Sequence, residues 1–230
     1  IPILDRTADP RGVAFDLLSS VAEPVTIGHA DGIVTIDLAE AEDAHREKVR
    51  AMLDEPYRTM LGHFRHEIGH YYESFLITDD QTRDRARELF GDESEDYQAA
   101  IDRHYAEGAP DDWQQHFISQ YATMHPWEDF AETWAHYLHI SDSIQTAEEF
   151  GLLRPAPTAS FRERVTKTWM PLSTALNMMN RSMGYDDLYP FVLSTPVLDK
   201  LDFVAGLAAD AAAGSVKDSS AGDVEPESGA

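Results

Sequence analysis

The run His66-Glu67-Ile68-Gly69-His70 constrains this chain more than any other feature, because it sits in an amphipathic stretch, residues 56–76, that reads as helix. On a helix, histidines at i and i+4 face the same way, so both imidazoles can reach one metal ion. Glu67 stands beside them as a candidate general base, the arrangement of a metal-dependent hydrolase. Cysteine is absent from all 230 residues, which removes thiolate metal sites, disulfides and cysteine nucleophiles. A transition-metal site must then use His, Asp and Glu, and zinc held by two His and one carboxylate fits.

The 18 basic and 42 acidic side chains give a net charge of −24. Phosphate contacts need a basic surface, so nucleic acid is not an expected partner. The excess of acid reads first as a self-repelling surface. No apolar run reaches the roughly 18–20 residues needed to span a bilayer, so no membrane partner is expected either. Nothing resembles a disulfide-stapled secreted scaffold, and cytoplasmic is the default location. The sequence begins at Ile1 rather than Met, and a further segment upstream is expected.

A hydrophobic content of 43% over this length supports one domain with a sizeable core. Residues 1–24 read as an entry arm with a helix over 13–21. β-Branched segments at 25–27 and 33–38 flank a Gly- and Asp-containing turn and predict a hairpin. Helices are expected over 41–53, 56–76, 81–90, 95–106, 126–140, 161–183 and 195–208, with Asp54 as a cap and Pro56 in a first turn. Residues 209–230, Ala-, Gly- and acid-rich without an aromatic, predict a disordered acidic tail. The expected architecture is mainly α, of the α+β kind, with a small hairpin or sheet beside the metal helix in a domain spanning 25–208.

A catalytic zinc needs a third protein ligand and an open position. The spacing HExxHxxGxxH would place a third histidine where this chain has Leu76, so that class is excluded. The alternative is a carboxylate from a later helix, where Glu128 and Glu132 lie one turn apart on one face. Glu128 is assigned as ligand and Glu132 as acceptor for the far N–H of a ligating imidazole. The plainer alternative makes Glu128 a first-turn acid favoured by the helix dipole and Glu132 a partner of His136. His63, His136 and His139 read as hydrogen-bonded packing groups, and Trp113 and Trp127 as candidate cleft walls.

Residues 57–72 (YRTMLGHFRHEIGHYY) and 121–136 (YATMHPWEDFAETWAH) resemble the bacterial family called putative zinc-binding metallopeptidases, over about residues 25–193. The resemblance implies a zincin-like peptidase of the gluzincin group with one Zn²⁺ per chain. It also implies a cysteine-rich zinc ribbon ahead of the domain, a segment that could bind partners. The second segment is also similar to the catalytic domain of anthrax lethal factor, in which a tyrosine lies seven residues before the ligand glutamate. Tyr121 and Glu128 hold that spacing, which implies that Tyr121 faces the metal and supports Glu128 over Glu132 as ligand.

The mechanism so implied has His66, His70 and Glu128 holding zinc, Glu67 deprotonating the zinc-activated water, and Tyr121 stabilising the oxyanion as a peptide or protein substrate is cut. His125 is a possible oxyanion or substrate contact, or equally a helix-entry residue ahead of Pro126. The segment 33–38 is the candidate strand for pairing with substrate. The competing reading is a catalytically silent, zinc-stabilised interaction or regulatory domain.

Overall fold

A computed structural model describes residues 5–7, 9, 11–21, 25, 27–41, 59–155, 157 and 160–220. Beyond Ala41, the helix expected over 41–53 falls outside them, as do residues 221–230 of the expected tail. The architecture is mainly helical with one small sheet, the α+β arrangement anticipated from the sequence. The sheet has three strands, β1 (Ala14–Leu18), β2 (Gly28–Ala30) and β3 (Ile33–Asp37), in the order β1-β3-β2. β2 and β3 form an antiparallel hairpin whose first strand is Gly28–Ala30, within the expected turn, rather than residues 25–27, with Asp31 and Gly32 turning at positive φ. β1 corrects the helix expected over 13–21. It pairs in parallel with β3, Ala14 opposite Ile33 through Leu18 opposite Asp37, so a long-range ladder overrides local pattern.

Helix α1 (Met60–Leu76) starts later than the expected 56, because Thr59 is extended and its side chain accepts from Gly62 N–H, closing the first turn. Asp79 and Asp96 cap α2 (Asp80–Phe90) and α3 (Tyr97–Glu107) in the same way. Helix α4 (Pro126–Glu149) has Pro126 in its first turn, where a missing N–H costs nothing, and His125 as its cap. It runs nine residues beyond the expected end at 140. After it come α5 (Phe161–Arg164), a π turn (Val165–Trp169) and α6 (Met170–Ser182). Pro171 has no N–H for the ladder at this point, a defect that a π turn accommodates.

Helix α7 (Thr195–Ser220) extends into the segment read as a disordered tail. Ala208, Ala209 and Ala211–213 carry the highest intrinsic helix propensity, which outweighs the lack of aromatic anchors.

Helix α4 joins two apolar clusters. Its Phe130 and Trp134 pack with Tyr71, Tyr72, Phe90, Val34, Ile36 and Val204. Its Ile140 and Ile144 pack with Ile118, Val165, Trp169, Val197 and Leu201. Each such side chain contributes roughly 1.5–3 kcal/mol on full burial, so α4 is held by one cluster near its start and by the other further along. Helix α1 crosses α4 at Gly69. A Cβ there would stand 2.9 Å from Ala131 Cα, 3.1 Å from its carbonyl oxygen and 3.2 Å from Trp134 Cβ. Backbone cannot swing aside as a side-chain tip can. Gly69→Val should therefore destabilise by about 3 kcal/mol and weaken metal binding, because it separates two helices that carry the site. Urea melts and a zinc titration check this; an unchanged zinc affinity would mean that the crossing has no bearing on the site.

Candidate metal centre and its cleft

The helical spacing of α1 brings His66 and His70 to one face, and the first turn of α4 presents Glu128 to them. His66 Nε2 lies 3.0 Å from Glu128 Oε2 and 3.2 Å from His70 Nε2; His70 Nε2 lies 3.5 Å from the same carboxylate oxygen. One ligand atom from each of the three falls within 4.8 Å of the others. Two imidazole nitrogens and one carboxylate oxygen, converging without a thiolate, form a donor set that suits zinc. His66, Glu67 and Glu128 are buried, and His70 is partly so.

The carboxylates behind the histidines set their charge. His66 Nδ1 is 2.7 Å from Glu132 Oε1, the contact that fixes the tautomer of a metal-binding imidazole. Burial alone would lower the His66 pKa, but hydrogen bonds to Glu128 and Glu132 outweigh it and hold it well above the ordinary value. Burial would raise both carboxyls. The histidine contacts instead draw Glu128 well below its usual range and Glu132 down to about 2. The centre is thus a cluster of paired charges, largely buried.

Glu67 points along the cleft. Its Oε1 lies 3.3 Å from His63 Nε2, while its buried Oε2 has no hydrogen-bond partner among the described residues. Burial pushes its pKa up, and the His63 contact with the charge of the neighbouring histidines brings it below the usual value. Tyr121, on a 3₁₀ turn just before α4, places its ring 5.8 Å from that of His66. Burial and then the Glu128 charge raise its pKa far above normal, so its O–H stays protonated.

Of the residues singled out from the sequence, His66, Glu67, His70, Tyr121, Glu128 and Glu132 come together. His125 does not join them as a substrate contact. Its Nδ1 accepts from Trp127 N–H at 3.1 Å and its Nε2 lies 3.2 Å from the Glu95 carbonyl. Both ring nitrogens are spent on backbone, which makes it the helix-entry residue. His136 bonds Tyr189 Oη at 2.8 Å and His139 Nδ1 accepts from Arg65 at 2.7 Å. The candidate substrate strand is also corrected: β3 is central, with β1 and β2 on its two edges, and β2 is the strand that borders the cleft.

Tyr97, on α3, escaped the sequence reading. Its hydroxyl donates to Glu128 Oε1 at 2.7 Å, leaving Oε2 for the histidine side. No local spacing links residues 31 apart, so only the fold reveals it. Tyr97→Phe should weaken zinc binding about 10- to 100-fold, read by competition with a chromophoric chelator. Equal affinity would show that Glu128 needs no such support.

Two cavities meet at the centre. One, of about 760 Å³, is lined by Gly28, His29, Glu73, Tyr97, Trp127 and the three candidate ligands. The other, of about 590 Å³, is lined by Gly62, Tyr105, Trp113, Ala135, His136 and Phe191. Both share Ile27, His66, Glu67 and Tyr121. A cleft therefore continues on both sides of the candidate ligands. No described helix is long and apolar enough to cross a membrane.

Comparison with known proteins agrees with this geometry. Uncharacterized proteins of Mycobacterium bovis and of two strains of Mycobacterium tuberculosis are each 54% identical over 213 residues, 89% of this chain and 62% of the relative. The chain thus spans less than two thirds of the length of these relatives. No solved structure matches it. The family model described as "Putative zinc-binding metallo-peptidase" matches residues 1–207, and the chain belongs to that family.

Proposed function

We propose that the protein is a zinc-dependent peptidase of the gluzincin type, with His66, His70 and Glu128 as the metal ligands. The observation that carries this reading is the buried Glu67 Oε2, without a hydrogen-bond partner among the described residues, beside three converging ligand atoms at a cleft. Holding zinc does not require such an oxygen; moving a proton does. Bound there, Zn²⁺ supplies Lewis acidity toward a water and a substrate carbonyl.

The chain's own residues do the rest. Glu67, ionised at neutral pH, accepts the proton of the attacking water as its oxygen adds to the carbonyl carbon. It then returns that proton to the amine as the C–N bond breaks. Tyr121, protonated throughout, donates to the carbonyl oxygen as charge develops on it. Glu132 holds the His66 ring in one orientation, and Tyr97 does the same for Glu128. The edge of β2, unpaired among the described residues, offers main-chain donors and acceptors to an extended peptide, and a cleft that continues on both sides fits a chain running past the reacting centre.

The test pairs metal analysis with a peptide library. Purified protein should hold one zinc, cut peptides, lose activity to a chelator and regain it with zinc. Full zinc occupancy with no cleavage of any library member would reject the peptidase and leave a zinc-stabilised interaction domain in its place.

A further inference from the structure

Glu73 lies on the face of α1 that carries the two histidines, three residues beyond His70 and seven beyond His66. It is partly buried in the wall of the 760 Å³ cavity, which Glu67 also lines. Glu67, in the same wall, keeps one oxygen on His63 at 3.3 Å, and the remaining charged groups are engaged. Arg87 holds Glu93 through two bonds of 2.7 and 2.8 Å, Arg83 bonds Asp80 at 2.9 Å, and Glu128 is taken by His66 and Tyr97. His29 accepts from Gly32 N–H at 3.1 Å. The Glu73 carboxylate has neither hydrogen bond nor ion pair among the described residues, its backbone carbonyl alone accepting, from Ile77 N–H at 3.0 Å. Burial and then repulsion from Glu128, Glu93 and Asp129 act on it in one direction, against ionisation.

A carboxylate in this position lacks a positive partner, and an incoming cation would supply both the charge and the donors. Resting on the peptidase reading above, we propose that Glu73 is an anionic subsite of the cleft, binding an ammonium or guanidinium group of the peptide substrate. Because the cleft continues on both sides of the centre, a lysine or arginine side chain is the favoured source of that cation over a terminal amine. The net charge of −24 works in the same sense, by raising the local concentration of basic peptides.

The experiment uses peptides of one sequence carrying Lys, norleucine or Glu at a single scanned position, each with a free or an acetylated N-terminus. Binding to zinc-loaded Glu67→Gln protein is followed by fluorescence anisotropy, and cleavage by the zinc-loaded native chain is measured in parallel. At one position Lys should be preferred over norleucine by about tenfold, the order of a single charge-assisted contact. Glu should bind weakest, and acetylation should leave the preference intact. Glu73→Gln should collapse the Lys-to-norleucine ratio to about one, and Glu73→Lys should invert the order.

If acetylation abolishes the preference, the carboxylate still reads a cation, and that cation is the chain terminus. A ratio unchanged in Glu73→Gln overturns the proposal, as does a uniform loss for all peptides accompanied by a fall in zinc content. The two readings fail separately. Cleavage without a Glu73-dependent preference rejects the subsite alone, whereas Lys-selective binding without cleavage by the native chain rejects the peptidase alone.

Discussion

Glu67→Gln should lower peptide turnover by about 10²- to 10⁴-fold, the usual contribution of a positioned general base, while zinc content stays unchanged. The substitution keeps the shape and the contact with His63 but removes the basicity of Oε2. Tyr121→Phe is its companion. Loss of one oxyanion donor typically costs about 10²- to 10³-fold, again with zinc retained, because Tyr121 is not among the converging ligand atoms. Turnover measured beside zinc analysis separates catalysis from metal retention. Undiminished activity in Glu67→Gln would end the proposed mechanism, and zinc loss in Tyr121→Phe would make that residue structural.

Lys200→Met should be the most damaging single change to stability, at about 3–5 kcal/mol. Lys200 Nζ bonds Asp129 Oδ2 at 2.5 Å and the His116 carbonyl at 2.8 Å, over the rings of Phe117 and Phe90. Lys200 is 5% exposed and Asp129 is fully buried. Removing one partner strands the other, whereas replacing both by apolar groups can be neutral. The double variant Asp129→Leu/Lys200→Met should therefore recover most of the loss in urea melts.

The pH dependence has a definite sign. Burial pushes Asp129 up to about 7 in spite of Lys200, and an unfolded aspartate titrates near 4. Between those values the folded state holds more protons, so this group's contribution to stability falls as pH rises. The Lys200→Met penalty should be smaller at pH 5 than at pH 8; a penalty independent of pH would mean that Asp129 does not carry it.

Periodicity made α1 and α4 readable in the sequence, and with them the shared faces of His66 with His70 and of Glu128 with Glu132. What eluded the sequence depends on contacts between distant segments. Residues 13–21 carry an apolar pattern that suits helix or strand, and pairing with β3 decides it. Tyr97 reaches Glu128 from another helix, with no spacing to betray it. Ala208, Ala209 and Ala211–213 favour the continuation of α7 through intrinsic propensity, a signal that needs no aromatic anchor. Gly69 sits inside the motif itself, yet only the crossing with Ala131 shows why a side chain there is not tolerated.

The brevity of β2 bears on a different matter, self-association. An open strand edge invites pairing with another copy, and long flat edges seed aggregation. Here the edge beside the cleft is three residues long, starts at a glycine and lies against the metal helix. A segment so short offers too few main-chain groups to sustain a growing stack of identical chains. The 24 excess negative charges of the chain add like-charge repulsion between copies.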